Sequence, residues 1–367
     1  MFLKLRILKM QCPEAAKPEA FMVIKGGISM GEAKVPGTGG NVYVPYEERT
    51  GNESIVYFTR DLSAAGLEKI YKKVCANLTG RIAVKLHTGE PKGPNIIPRP
   101  WVQNLLEKQL PDAVIVETNT YYDGGRYTTE QHRETLKVNG WTFAPVDIMD
   151  EEGTVMMPLS GGKWFTQMCM GTHIKNYDSM LALTHFKGHT MGGFGGSNKN
   201  LGIGNADGRI GKKMIHTAEG SDNQWSIAEE ELMEKITEST KATLDFFGKN
   251  ISFINVLRNM SVDCDCAGVE AAPVVTPNIG IVASLDILAA DQASVDLVYA
   301  MSEKDRSHLV ERIETRHGLR QLSYMKEMGM GNDRYVLIDL DNDEERILPC
   351  DAVKDVRPFG TWSNEKF

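Results

Sequence analysis

Short apolar segments alternate with amphipathic segments along most of the chain after residue 54. Residues 55–58, Ile-Val-Tyr-Phe, are a β-branched and aromatic run typical of a strand. Residues 63–78 repeat apolar side chains every three or four positions, which predicts a helix that begins at Ser63. The later predicted strands are 82–86, 113–116, 180–184, 251–257 and 279–283, and the later predicted helices are 98–110, 128–139, 227–247 and 288–301.

The segments between the predicted strands indicate the fold class. Strands separated by helices of this length cannot form hairpins, so the pattern predicts an α/β fold with a mostly parallel sheet and helices on both faces. Residues 335–348 differ, because two apolar runs flank an acidic turn and predict a C-terminal β-hairpin. Residues 1–50 are rich in Gly and Pro without a helical period and predict an irregular N-terminal segment. The expected division is 1–50, a core of 51–340 and a tail of 341–367.

Composition and charge exclude several classes of partner. The chain has 367 residues with 41 Lys and Arg against 49 Asp and Glu, a net charge of −8 that argues against general nucleic-acid binding. No segment approaches the roughly 20 apolar residues of a membrane helix, and the N-terminus lacks the apolar run of a signal peptide. Six cysteines are too few for a disulfide framework. We therefore expect a cytoplasmic protein without nucleic-acid or membrane partners.

Polar and reactive side chains follow five of the predicted strands. In an open parallel sheet, ligands bind beyond the carboxyl ends of the strands, so these side chains are expected to line one cavity. The residues expected to bind a ligand there are His87, Glu90, Asn119, Arg126, Gly195, Gly196, Lys199, Ser284 and Asp286. For Asp286 the simpler alternative is an N-terminal helix cap.

The glycine-rich stretch 192–196 is a candidate anion site. Its glycines permit close backbone approach, and Lys187 and Lys199 add positive charge on either side. The stretch is neither a Walker loop nor a dinucleotide fingerprint. It predicts either a site for a small anionic ligand or a flexible turn.

Histidines and cysteines supply the reactive candidates. His185 and His189 follow a predicted strand, where imidazoles ligate metals, move protons or bind anions. Cys264 and Cys266 place two thiols within reach of one soft metal ion, and the flanking carboxylates would raise the thiol pKa without a metal. We therefore expect a metal site formed by Cys264, Cys266, His185 and His189, and catalytic roles for His185, Lys187 and His189. The alternatives are hydrogen-bonded core histidines and two buried cysteines.

An ordered set of motifs resembles the domain of unknown function 362 family, often described as iron–sulfur centre proteins. The motifs lie at 56–59, 83–90, 118–126, 185–189, 193–202, 264–266 and 279–293. Many members of that family carry a ferredoxin-like insertion of Cys-x-x-Cys runs, whereas residues 202–225 contain no cysteine here. The family also tends to have a cysteine where this chain has Asn205 after Gly204. We therefore expect no [4Fe-4S] cluster of the protein's own.

Three functions agree with these patterns. The first is a metal-assisted or redox enzyme that acts on a small anionic metabolite and uses a metal ion of unidentified type. The second is a non-catalytic iron–sulfur or electron-transfer accessory that docks a separate ferredoxin-like protein. The third is metal-independent acyl or phosphoryl transfer with Ser284 or Cys264 as nucleophile, although no nucleophile-elbow pattern is present.

Overall fold

A nine-stranded sheet forms the centre of the computed structural model, which describes residues 41–359 apart from 219, 222 and 224. The strands are β1 (Ser54–Thr59), β2 (Ile82–Lys85), β3 (Val114–Glu117), β4 (Val146–Ile148), β5 (Thr154–Pro158), β6 (Gln167–Gly171), β7 (Ser179–His185), β8 (Lys187–His189), β9 (Gly193–Gly195), β10 (Ile251–Leu257), β11 (Gly280–Ser284), β12 (Tyr335–Asp339) and β13 (Glu345–Ile347). Their order in the large sheet is β13-β12-β1-β11-β10-β7-β2-β3-β4. Two small antiparallel pairs, β5 with β6 and β8 with β9, lie outside it.

Helices cover both faces of the large sheet. They are α1 (Ala64–Val74), α2 (Arg99–Gln109), α3 (Thr129–Val138), α4 (Ser197–Gly204), α5 (Gly211–His216), α6 (Glu229–Phe247), α7 (Ile287–Ala300), α8 (Glu303–Thr315), α9 (Arg320–Glu327) and α10 (Pro349–Ala352). One apolar cluster joins the sheet to α1, α2 and α3, and a second cluster joins it to α4, α6 and α7. The predicted α/β fold with a mostly parallel sheet and helices on both faces is therefore confirmed.

Helix starts agree with capping chemistry in the sequence. Ser63 accepts a hydrogen bond from the Gly66 N–H at the start of α1. Thr128 and Gln131 form a reciprocal capping box at the start of α3. No helix within the described part of the chain is both long and apolar enough to cross a bilayer.

The direction of β11 decides at which end of the sheet the residues that follow it lie. Strands β10, β7, β2, β3 and β4 are mutually parallel. β11 runs antiparallel to its neighbours β10 and β1. The residues that follow β11 therefore lie at the opposite edge from those that follow β2, β3, β7 and β10.

The ends of the chain are only partly covered by the described residues. The predicted C-terminal hairpin is present, since β12 and β13 pair antiparallel. β12 also pairs parallel with β1, so the hairpin belongs to the main sheet. Of the predicted irregular segment 1–50, residues 1–40 lie outside the described residues, and residues 41–50 contain one 3-10 turn, Tyr46–Glu48.

Candidate active site

A cavity of about 270 Å³ is lined by residues at the carboxyl ends of β2 and β3, by the β8–β9 hairpin and by the loop after β10. This volume is near the lower end for small-molecule sites and fits a metabolite-sized ligand. Cationic side chains line the cavity: Lys85, Arg126, Lys187, Lys199 and Lys212. Two thiols, Cys264 and Cys266, face the same space.

Buried ion pairs hold the cations next to β2 and β3. The Lys85 Nζ lies 2.8 Å from a Glu117 carboxylate oxygen, and Arg126 lies 2.8 Å from Glu90 and 3.4 Å from Glu117. Burial would raise the pKa of Glu117, but Lys85 and Arg126 together hold it well below its usual range. Each of these charges has a partner, so the guanidinium and the ammonium are fixed in position.

His185 is engaged on both ring nitrogens. Its Nδ1 lies 2.8 Å from the Asp265 carboxylate, and its Nε2 lies 2.6 Å from the Arg258 carbonyl oxygen. The Lys187 Nζ lies 3.0 Å from the same Asp265 carboxylate. Because both imidazole nitrogens face oxygen acceptors, neither offers a lone pair to a metal ion. The expectation that His185 completes a metal site is therefore wrong, and His185 positions Asp265 instead.

His189 and His87 both contact Cys264, and the Nδ1 of each ring accepts a backbone hydrogen bond. The His189 Nδ1 accepts hydrogen bonds from the backbone N–H groups of Met191 and Gly192, at 3.2 and 2.8 Å. The His87 Nδ1 accepts one from the Gly89 N–H at 2.9 Å. A neutral ring whose Nδ1 accepts carries its proton on Nε2, so His189 donates to Cys264. The His87 ring also hydrogen-bonds Cys264, but its Nε2 lies 3.4 Å from the Arg126 Nη2, which can only donate.

The two thiols differ in pKa. The hydrogen bond from Cys266 lowers the pKa of Cys264 well below its usual value, and Lys199 and His189 lower it further against the effect of burial. The hydrogen bond to Cys264 and burial raise the pKa of Cys266. These surroundings therefore favour the thiolate at Cys264 over the thiolate at Cys266.

The flanking carboxylates do not act on the thiols as the sequence predicts. Asp265 is paired with Lys187, and Asp263 lies 2.9 Å from Arg312. Their negative charges are balanced locally, so the expectation that they raise the thiol pKa of Cys264 is wrong.

Three donors fit a metal ion in part. The ligand atoms of His189, Cys264 and Cys266 lie within 4.8 Å of one another, a group that could hold a metal ion. Two thiols suit a soft metal. However, a metal-binding histidine ordinarily donates its second N–H, whereas the His189 Nδ1 accepts two backbone N–H groups. In this conformation the thiols fit a metal and the imidazole does not.

The short helix α5 brings to the cavity two residues, Lys212 and His216, that the sequence pattern did not predict. The Lys212 Nζ donates to Thr118 Oγ1 at 2.7 Å and to the Asn119 carbonyl, and burial lowers its pKa to about 8. The His216 Nδ1 donates to the Lys212 carbonyl at 2.7 Å, and burial lowers its pKa to about 4. Both residues line the cavity. Their spacing of four residues is typical of one helix face and could have indicated them. They were missed because α5 does not follow a strand, and only residues after strands were expected at the cavity.

Most of the predicted residues meet at this cavity. Those that line it are His87, Arg126, Lys187, His189, Gly195, Gly196, Lys199, Cys264 and Cys266. Glu90 lies behind Arg126 as its ion-pair partner. The Asn119 side chain instead bonds Thr129.

Ser284 and Asp286 lie elsewhere. The Ser284 hydroxyl donates to the Ile55 carbonyl, and Asp286 caps α7 while it accepts from the Ser54 hydroxyl. Their expected place in the cavity is wrong because β11 runs antiparallel to β10. The helix-cap alternative describes Asp286.

The fold and the cavity define an α/β protein with a polar site at the carboxyl edge of its sheet. The sequence matches the family model described as Domain of unknown function (DUF362) over residues 82–296, more than half of the chain. The protein belongs to this family, as its motifs predict.

Two solved structures are similar to part of this chain. The lactate racemase apoprotein from Thermoanaerobacterium thermosaccharolyticum is 15% identical, with a TM-score of 0.34, over 59% of this chain and 52% of that chain. A protein from Thermotoga maritima is 10% identical, with a TM-score of 0.33, over 53% of this chain and 49% of that chain. The chain thus spans about half the length of these structures, and likeness at this level does not extend to activity. No curated protein matches the sequence.

Proposed function

We propose that the protein is an enzyme that binds a small anionic metabolite in the cavity and carries out its reaction at Cys264. The observation that carries the proposal is the position of Cys264 in the cavity, where its thiol contacts Cys266, His87 and His189. The hydrogen bond from Cys266, together with Lys199 and His189, lowers the pKa of Cys264 there. Perturbed thiols in cationic, partly enclosed surroundings are typical of reactive cysteines.

Lys199 is the group available to hold the anion. It lines the cavity and makes no ion pair or hydrogen bond with a residue in the described part of the chain. The other four cations already face acceptors: Lys85 with Glu117, Arg126 with Glu90, Lys187 with Asp265, and Lys212 with Thr118. An entering carboxylate therefore meets at Lys199 a cation that acts on the Cys264 thiol but is not paired with a carboxylate of the described residues.

The charge state of the thiol pair favours nucleophilic chemistry. A thiolate of low pKa is a weak base but remains a nucleophile and a good leaving group. Attack by Cys264 Sγ on a carbonyl carbon of the substrate would form a C–S bond and break the C=O π bond. The π electron pair would move to the carbonyl oxygen, which nearby cations would stabilise. Cys266, whose pKa is raised, keeps a proton that it could donate to that oxygen.

Metal-assisted chemistry at His189, Cys264 and Cys266 is the second candidate. The closeness of the three ligand atoms favours it. A metal bound there would supply a Lewis acid for the substrate oxygen. It would require His189 to give up its backbone hydrogen bonds, which is why we place the metal-free thiolate first.

The proposal is tested by alkylation of the purified protein with iodoacetamide from pH 6.5 to 8.5, with the modified residue identified by mass spectrometry. An ordinary thiol reacts about 50-fold faster at the upper pH because its thiolate fraction rises through a pKa of about 8.5. The Cys264 rate should change less than about threefold, since its thiolate is present throughout. Acetate should slow this alkylation, because it occupies the same cavity.

Three variants separate the outcomes. Cys264→Ser should lose the rapid reaction, and Lys199→Met should lose protection by acetate. Lys213→Met is the matched control, since Lys213 is an exposed lysine of α5 outside the cavity lining. A Cys264 rate that follows an ordinary thiol profile would overturn the thiolate mechanism. One equivalent of metal in the wild type that Cys264→Ser loses would instead support the metal-assisted candidate.

A further inference from the structure

One wall of the cavity is aromatic and apolar. The Trp225 ring packs on His216 at 4.8 Å and on Tyr121 at 5.1 Å between centroids. Leu232 and Ile236 of α6 line the cavity as well. A small inorganic anion would leave this surface uncovered, so the wall indicates a ligand with an apolar part.

Trp225 is held over the cavity in an uncommon backbone conformation. Its φ of 70° lies in the left-handed region, which bulky side chains rarely adopt. Its N–H donates to the His216 carbonyl at 3.3 Å, and 40% of the residue remains exposed. An indole kept in this position while substantially exposed leaves a face on which a planar group can stack.

His216 differs from the other two imidazoles of the cavity. His87 and His189 accept backbone hydrogen bonds at Nδ1, whereas the His216 Nδ1 donates to the Lys212 carbonyl. A neutral His216 therefore carries a lone pair on Nε2. No described residue donates a hydrogen bond to that nitrogen, so it is available to a ligand donor.

Lys199 lines the same cavity as His216 and Cys264, and its charge lowers the pKa of both. As the cavity cation without a polar partner among the described residues, it matches one carboxylate rather than a more highly charged group. Lys199, which would hold the anion, therefore lines one cavity with the Trp225 ring and with His216, whose Nε2 is the available acceptor.

We infer that the substrate is an aromatic monocarboxylate that carries an N–H or O–H donor on its ring. The carboxylate lies at Lys199, the ring lies against Trp225, and the ring donor meets the His216 Nε2. This inference rests on the proposed function and names the substrate class of the same site.

The test compares three probes by isothermal titration calorimetry: indole-3-acetate, 1-methylindole-3-acetate and acetate. We expect indole-3-acetate to bind at least about tenfold more tightly than acetate, because it adds ring contact. It should bind about tenfold more tightly than the methylated probe, which lacks the N–H. Equal binding of indole-3-acetate and acetate would overturn the inference.

Variants of Trp225 and His216 show how each residue contributes to the binding of indole-3-acetate. Trp225→Ala should weaken indole-3-acetate about tenfold and acetate less than twofold, and Trp225→Phe should restore most of the loss. His216→Phe keeps a ring in the wall and should abolish the preference for indole-3-acetate over its methylated form, whereas His216→Gln keeps an acceptor and should retain part of it. A preference that survives His216→Phe would refute the role of Nε2.

The failure of this inference differs from the failure of the proposed function. If acetate protects Cys264 from alkylation but the indole probe binds no better than acetate, the substrate class is wrong and the thiolate enzyme stands. If no carboxylate protects Cys264, both are wrong.

Discussion

Asp265 lies between the two thiols in the sequence but faces away from them. Its carboxylate is buried and accepts from both His185 and Lys187. Burial would raise the pKa of Asp265, but His185 and Lys187 together hold it well below its usual range. Asp263, two residues earlier, is half-buried and pairs with Arg312. Two neighbouring aspartates therefore have very different surroundings.

We expect Asp265→Asn to destabilise the protein by about 3–5 kcal/mol, because it leaves the charge of Lys187 buried without its partner. Asp263→Asn removes a partly exposed pair and should cost less than about 1 kcal/mol. Urea unfolding of the two variants measures both. Similar losses in the two would contradict the contrast in burial.

At the scale of elements, Asp291 of α7 connects a helix and a strand. Its carboxylate accepts from the backbone N–H groups of Ser197 and Asn198 at the start of α4, and from the Asn255 side chain of β10. Burial nevertheless raises the pKa of Asp291 to about 6. The start of α4, which carries Lys199 into the cavity, thus depends on a titratable cap.

This cap makes stability depend on pH. Between the unfolded pKa of about 3.9 and the folded value, the folded protein binds more protons than the unfolded chain, so stability falls as pH rises. From pH 5 to 7 the contribution of Asp291 should fall by about 1 kcal/mol. The difference in unfolding free energy between wild type and Asp291→Asn should decrease by that amount, and a difference independent of pH would refute the assignment.

The β8–β9 hairpin touches the loop that carries the thiols. The Gly188 N–H donates to the Ser261 carbonyl at 2.8 Å. A Cβ at Gly188 would lie 2.3 Å from the Val262 carbonyl oxygen, a backbone atom that can move only with its loop. Close approach by a glycine therefore sets the position of Cys264 relative to Lys187.

Gly188→Ala should destabilise the protein by about 1–3 kcal/mol and make the alkylation of Cys264 more dependent on pH, because the loop must shift away from β8. Gly195→Ala, in the partner strand, places its Cβ no closer than 3.5 Å to another atom and should cost less than about 1 kcal/mol. Thermal unfolding and the iodoacetamide profile test both. Equal effects of the two would be evidence against the contact.

At the scale of the whole molecule, the sheet draws on strands from both ends of the core. β1 lies between β11 and β12, so the C-terminal strand completes the hydrogen bonding of the first one. Tyr335 and Leu337 of β12 are buried, whereas Val336 is half-buried. The first strand of the C-terminal hairpin, β12, is therefore part of the core.

Leu337→Ala should accordingly destabilise the protein by about 2–5 kcal/mol, as expected for a buried leucine. Val336→Ala, on the other face of the same strand, should cost about 1 kcal/mol. Denaturant unfolding of both variants measures the difference. A loss below about 1 kcal/mol for Leu337→Ala would show that β12 contributes little to the core.

Apolar periodicity and capping residues predict the main strands and helices, because those signals act between residues close in the chain. The sequence also predicts that His87, Lys187 and the two thiols follow strands of the sheet. In the structure those strands, β2, β7 and β10, are parallel neighbours. Three features appear only in the folded chain. β11 runs antiparallel to β10, both His185 nitrogens face oxygen acceptors, and α5 brings His216 to the cavity. Each depends on contacts between segments far apart in the chain, and no periodicity within a single segment encodes such contacts.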